Sequence, residues 1–116
     1  MQRTLTAKWL LVAALAIVFG WFGIDKFLSP FLWIQWIPPW FEGLLTLTRD
    51  QWLSVIGAIE IVFAALLLIP VRRIQLVAAS LIALQLVGVL TQTGWNDIGV
   101  RDLGLLLSSV ALLFLL

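Results

Sequence analysis

Five charged residues fall inside stretches whose hydropathy predicts membrane interior. Asp25 and Lys26 close a first apolar run, Glu60 lies within a second, and Arg101 and Asp102 open a fourth. An ionisable side chain at the centre of a bilayer costs at least about 2.5–3.5 kcal/mol, so it usually has a partner and a use. Glu60 is nine residues into its run. At about 1.5 Å per residue it lies roughly 13–14 Å below the outer edge, close to the midplane. Arg101 and Asp102 are drawn inward by chain length. The 15 residues from Asp102 to Leu116 span only about 22 Å, short of the ~30 Å hydrocarbon core, so the helix must begin near Asp97 or Ile98. Asp97 is then the expected N-cap.

All three places belong to the outer half of a bundle. Asp25, Glu60 and Asp102 set against Lys26 and Arg101 leave one carboxylate in excess. That carboxylate is expected to hold or share a proton, with Glu60, the deepest, as its holder. A deep carboxyl beside a cation reads as a proton relay or a polar-ligand site. The plainer alternatives are a snorkelling flank at Asp25-Lys26 and a structural bridge at Arg101-Asp102.

The elements that must position these residues follow from hydropathy. Of the 116 residues, 63% are hydrophobic and only 11% charged, against about 25% charged in an average soluble domain. A chain this short cannot hide that much apolar side chain from water. The expectation is an integral membrane protein of the all-α class, an antiparallel four-helix transmembrane bundle forming a single domain over residues 1–116. Its helices are expected at about 9–28, 51–69, 74–92 and 98–116, each near the ~20 residues that a span needs. The first run follows Arg3 and Lys8 as a signal peptide would, but no small-x-small site comes after it, and a retained helix is expected.

Residues 29–50, between the first two helices, are the one sizeable extramembrane segment. Trp33, Trp36 and Trp40 crowd into it around Pro38-Pro39, a pattern for short helical pieces lying in the headgroup layer. Its simplest reading is anchoring, and its functional reading is a lid over the outer mouth or a docking surface for a partner. Trp21, on the first helix, is a further candidate for an aromatic lining. Gly20 and Gly23, and Gly57, Glu60 and Ala64, fall at helical spacing and mark faces of close packing. Gln85 and Gln92 share a face of the third helix and could hydrogen-bond into the same interior. Gln75 is expected at the cytoplasmic edge. Ser80, Ser108 and Ser109 are expected to bond back to their own helices.

Several functions are excluded by residue types. The chain has no Cys and no His, and its one Met is Met1. The usual ligands of haem, iron–sulfur clusters, zinc and copper are therefore missing, and no metal or intrinsic cofactor is expected. A net charge of +1 suggests no nucleic-acid partner. Arg3, Lys8, Arg72 and Arg73 fall on one side and Lys26, Arg49 and Arg101 on the other, the second group each beside an aspartate. That bias puts both termini in the cytoplasm. The narrow margin is also what dual-topology proteins show.

Gly23-Ile24-Asp25-Lys26, Gly57-Ala58-Ile59-Glu60 and Val100-Arg101-Asp102-Leu103-Gly104-Leu105, in that order around an aromatic segment, resemble the DoxX family of small four-helix membrane proteins. The resemblance runs from about Val18 to Leu107. It implies a multi-pass protein of the prokaryotic cell (inner) membrane, related to a subunit of a thiosulfate:quinone oxidoreductase, and it points again to Lys26, Glu60, Arg101 and Asp102. The short chain without Cys departs from the family where thiol or sulfur chemistry is concerned.

Three functions compete. The first is an accessory subunit of a membrane redox complex that contacts a quinone, with electrons supplied by a partner subunit. The second is a non-enzymatic scaffold or assembly factor holding a membrane-protein client. The third is a small proton-coupled transporter or channel; here Glu60 lies on the second helix, whereas small multidrug carriers place their acid on the first. Whether the chain is an enzyme is left open, and a homo-oligomer is compatible with all three.

Overall fold

The computed structural model describes residues 2–116, and every regular element among them is helical. Helix α1 (Gln2–Leu28) is followed by a single turn, α2 (Pro30–Trp33), and by 3-10 turns at Ile34–Trp36, Pro39–Phe41 and Leu44–Thr46. Then come α3 (Arg49–Leu68), α4 (Arg72–Thr93) and α5 (Asp97–Leu115). The four helices other than α2 are long and apolar enough to cross a membrane. Their lengths, 27, 20, 22 and 19 residues, bracket the ~20 that a hydrocarbon core requires.

The helix ends depart from the hydropathy reading for local reasons. Helix α1 starts at Gln2 rather than Trp9, because hydropathy marks the apolar stretch and nothing in residues 2–8 breaks a helix. Helix α3 starts at Arg49 rather than Gln51 because Thr48 and Gln51 form a capping box. The Gln51 N–H donates to Thr48 Oγ1 (3.2 Å), and the Thr48 N–H donates to Gln51 Oε1 (2.9 Å). Asn96, not Asp97, caps α5 by accepting from the Gly99 N–H at 2.9 Å. Asp97 follows as the first helical residue, where its charge still suits the helix dipole. Gly94, at φ 73°, ends α4 in the left-handed region that glycine enters without strain.

One apolar core draws on all four long helices. Val12, Leu15 and Phe19 of α1 meet Leu67 of α3, Ala78 and Ile82 of α4, and Leu112 of α5, with almost no exposed surface. Lipid tails are as apolar as leucine, so close packing rather than escape from water holds such helices together. Gln75 belongs to this packed end. It is fully buried, and its Nε2 donates to the Leu67 carbonyl at 2.9 Å. That carbonyl is in the last turn of α3, where helix acceptors lack an intrahelical donor. Ser108 and Ser109 bond back to the carbonyls of Gly104 (2.9 Å) and Leu106 (2.8 Å), as expected.

Helices α1 and α3 cross at two glycines. A Cβ on Gly23 would stand 2.5 Å from the Gly57 carbonyl oxygen and 2.7 Å from Ile61 Cγ1, and one on Gly57 would stand 3.0 Å from the Gly23 oxygen. Backbone is therefore in contact with backbone. Around Gly88, by contrast, a Cβ meets nothing within 4 Å. Gly23→Ala should lower stability by about 1–3 kcal/mol through overpacking, whereas Gly88→Ala should cost nothing. Reversible unfolding in mixed micelles measures both, and equal behaviour of the two would refute the close crossing.

Candidate functional site

Above the packed end, toward the segment between α1 and α3, the helices part around a cavity of about 520 Å³. Helix α1 gives it Phe19, Phe22 and Lys26, spaced three and four residues apart and so on one face. Helix α3 gives Leu53, Ile56, Glu60 and Phe63 by the same periodicity, α4 gives Gln85 and Gln92, and α5 gives Arg101 and Asp102. Trp33, Trp36, Ile37 and Trp40 of the connecting segment complete the lining.

The charged residues form two pairs. Lys26 Nζ stands 2.5 Å from Glu60 Oε1, with the two side chains 9% and 4% exposed. This pair follows directly from the Gly23–Gly57 crossing, since the Lys26 Cβ lies 3.2 Å from the position of a Gly57 Cβ. Arg101 holds its neighbour Asp102, with Nε and Nη2 both 3.1 Å from Oδ1. The Asp102 carboxylate is buried while the Arg101 side chain is 41% exposed. Both cations also rest against aromatic rings. Lys26 Nζ is 4.0 Å from the Trp33 ring centroid and 5.6 Å from that of Phe22, and the Arg101 guanidinium is 4.6 Å from Phe22. Phe22 thus stands between the two ion pairs, its ring 5.2 Å from Trp33. Rings in these positions stabilise the cations further.

Three sequence expectations are corrected. Asp25 does not join the cluster; its Oδ2 accepts from Trp33 Nε1 at 2.8 Å and so ties the connecting segment to α1. With Asp25 removed, the cavity wall holds Lys26 and Arg101 against Glu60 and Asp102, and the excess carboxylate disappears from the cluster. Trp21 is 57% exposed and is not a lining residue. One residue corresponds to about 100° of helix rotation, so Trp21 turns away where Phe22 turns in.

The aromatic segment lies across the cavity, held by Arg49. This side chain donates from Nη2 to the carbonyls of Ile34 (3.0 Å) and Ile37 (2.7 Å), while its backbone N–H donates to Glu42 Oε2 at 2.8 Å. Trp52 Nε1 adds a bond to the Leu44 carbonyl at 2.9 Å, and the Phe41 ring lies between Trp40 (4.3 Å) and Trp52 (5.5 Å). Phe22, Arg49 and Trp52 escaped the sequence reading. The available signals were the four-residue step from Phe22 to Lys26 and the position of Arg49 at the end of an irregular segment whose carbonyls need donors.

Residues 15–93 match the family model described as Domain of unknown function (DUF8561), and with more than half of the chain matched the protein belongs to that family. Lys26, Glu60 and the connecting aromatic segment lie inside the matched region, and Arg101 and Asp102 lie beyond it. Neither a curated protein nor a solved structure matches the chain.

Removing either partner of the Lys26–Glu60 pair leaves a buried charge alone, which typically costs about 3–5 kcal/mol. Glu60→Leu and Lys26→Met should each destabilise on that scale, and the double variant should recover most of the loss. A double-mutant cycle from denaturation midpoints measures the coupling; additive losses would mean that the pair does not form.

Proposed function

We propose that this chain is a membrane-embedded binding module, an accessory subunit of a membrane redox complex that takes a quinone into the cavity beneath the aromatic segment. The observation that carries the reading is the cavity itself. Its volume of about 520 Å³ is that of a small-molecule site, where apolar walls and a few convergent polar groups are the rule. Phe22, Trp33 and Trp36 suit the faces of a ring, and the Lys26–Glu60 and Arg101–Asp102 pairs make the wall beside it polar. A bound quinone supplies an acceptor for two electrons and two protons. Without Cys or His in the sequence, the electrons are assigned to a partner subunit. The resemblance to the DoxX family agrees with this role.

The arrangement of the helices favours a site with one mouth over a carrier. Glu60 faces the cavity, while the other end of the molecule is filled by Val12, Leu15, Leu67, Ile82 and Leu112. A carrier would have to expose the carboxylate alternately through that packed end. The proposal includes an antiparallel four-helix bundle. It is supported by Gly23 lying against Gly57 and Ile61 while Gly20 lies against Ala64, and by the bond from Arg72 at the start of α4 to the Leu116 carbonyl just past α5. The aromatic segment is placed at the outer interface, with both termini cytoplasmic.

Native mass spectrometry of the protein extracted gently from its own membrane tests the function. A quinone-mass adduct together with a redox subunit is the expected result, and a bare chain or homo-oligomer alone would overturn the reading. For topology, a cysteine at exposed Thr46 should react with an impermeant reagent from outside, and one at exposed Val71 should not. Buried Gln75 would report neither side. Reversed labelling would invert the assignment.

A further inference from the structure

Two buried polar atoms in the cavity wall have neither a hydrogen bond nor an ion-pair partner among the described residues. They are Gln85 Oε1 and Thr93 Oγ1, both on α4. Positions 85, 89, 92 and 93 form one helical stripe, and all four line the cavity. The charged groups from α1, α3 and α5 are by contrast already engaged, Lys26 with Glu60 and Arg101 with Asp102. Buried polar atoms are normally satisfied, and an orphan at a site calls for a ligand or an ordered water.

We infer that Gln85 and Thr93 are the residues that hold the oxygen substituents of a ring ligand, and that this ligand enters uncharged, as hydroquinone as well as quinone. The inference rests on the cavity reading given above and deepens it. The wall carries two cations and two carboxylates, so an anionic head would find no free counter-charge and would have to be desolvated at full cost. An uncharged ring meets no such penalty. A primary amide and a hydroxyl can each donate and accept. They therefore serve a carbonyl oxygen and a phenolic O–H equally, which a lysine or an arginine, donors only, cannot do. Trp33 and Trp36, across the mouth, cover the faces of the ring.

The test uses the full chain in phosphatidylcholine nanodiscs and calorimetric titration with decylubiquinone, its hydroquinone, and the di-O-methyl ether of that hydroquinone. Wild type is expected to bind the first two saturably and the ether more weakly, because the ether has no proton to offer Gln85 Oε1. Gln85→Leu and Thr93→Val should each raise the Kd for quinone and hydroquinone about tenfold, the usual effect of one hydrogen bond. Gln85→Leu should also narrow the gap between the ether and the hydroquinone. Ser108→Ala, exposed and bonded to its own helix, should change nothing. If wild type binds but both variants bind as well as wild type, the assignment of Gln85 and Thr93 fails while the quinone reading stands. If wild type binds neither form, both fail. Should Gln85→Leu not fold, the near-isosteric Thr93→Val and the wild-type ether comparison decide.

Discussion

An ion pair can be kept away from water between two helices only if their backbones come close enough for short reach on both sides. Here Gly23 and Gly57 supply that closeness, each leaving room where the other helix carries its peptide oxygen. The contact fixes the rotation of α1 against α3. With Gly23 facing α3, Lys26, one turn on, must face it as well, and Glu60, one turn beyond Gly57, turns toward Lys26. The same rotation aims Phe22 at the space between the helices and sends Trp21 outward. The location of the ion pair, the aromatic ring beside it and the outward tryptophan are thus one geometric consequence of two missing side chains.

The molecule is unequal at its two ends. At one, medium-sized apolar residues from all four long helices fill the interior, and Gln75 satisfies a leftover carbonyl of α3. At the other, the interior is left open and bounded by rings. The connecting segment has too little regular structure to satisfy its own backbone, so side chains do it: Arg49 bonds two of its carbonyls, Trp52 a third, and Asp25 receives the Trp33 N–H. Trp33 is tied by its indole N–H to Asp25 of α1, and Trp33, Trp36 and Trp40 all line the cavity.

Hydropathy alone made the four long helices legible, because a span needs a long apolar run and little else resembles one. Depth counting along those runs picked out Lys26, Glu60, Arg101 and Asp102, since a charge in an apolar run is informative whatever surrounds it. What escaped was set by contacts between elements. Asp25 was counted with the cluster because it adjoins Lys26, yet its partner Trp33 sits in a segment with no periodicity to orient it. The burial of Gln75 was not legible because its partner, the Leu67 carbonyl, belongs to the end of the preceding helix. The Thr48–Gln51 capping box was readable in sequence, and giving it more weight than the hydropathy edge would have placed the start of α3 correctly.

The charges in the wall raise a question of cost. Replacing a buried ion pair by well-packed apolar residues is often neutral or stabilising, so stability alone gives no reason for Lys26 and Glu60 to be charged. Two features limit that cost here. Each cation lies against a ring face, and each carboxylate has a cation within 3.1 Å. The result is a wall that is polar without being charged overall, in a cavity otherwise lined by aromatic and aliphatic side chains. A ligand suited to such a wall must be largely apolar, flat enough for the rings and uncharged, with a few oxygens where the polar groups converge. Gln85 and Thr93 are the polar groups of the wall that no neighbour has yet engaged.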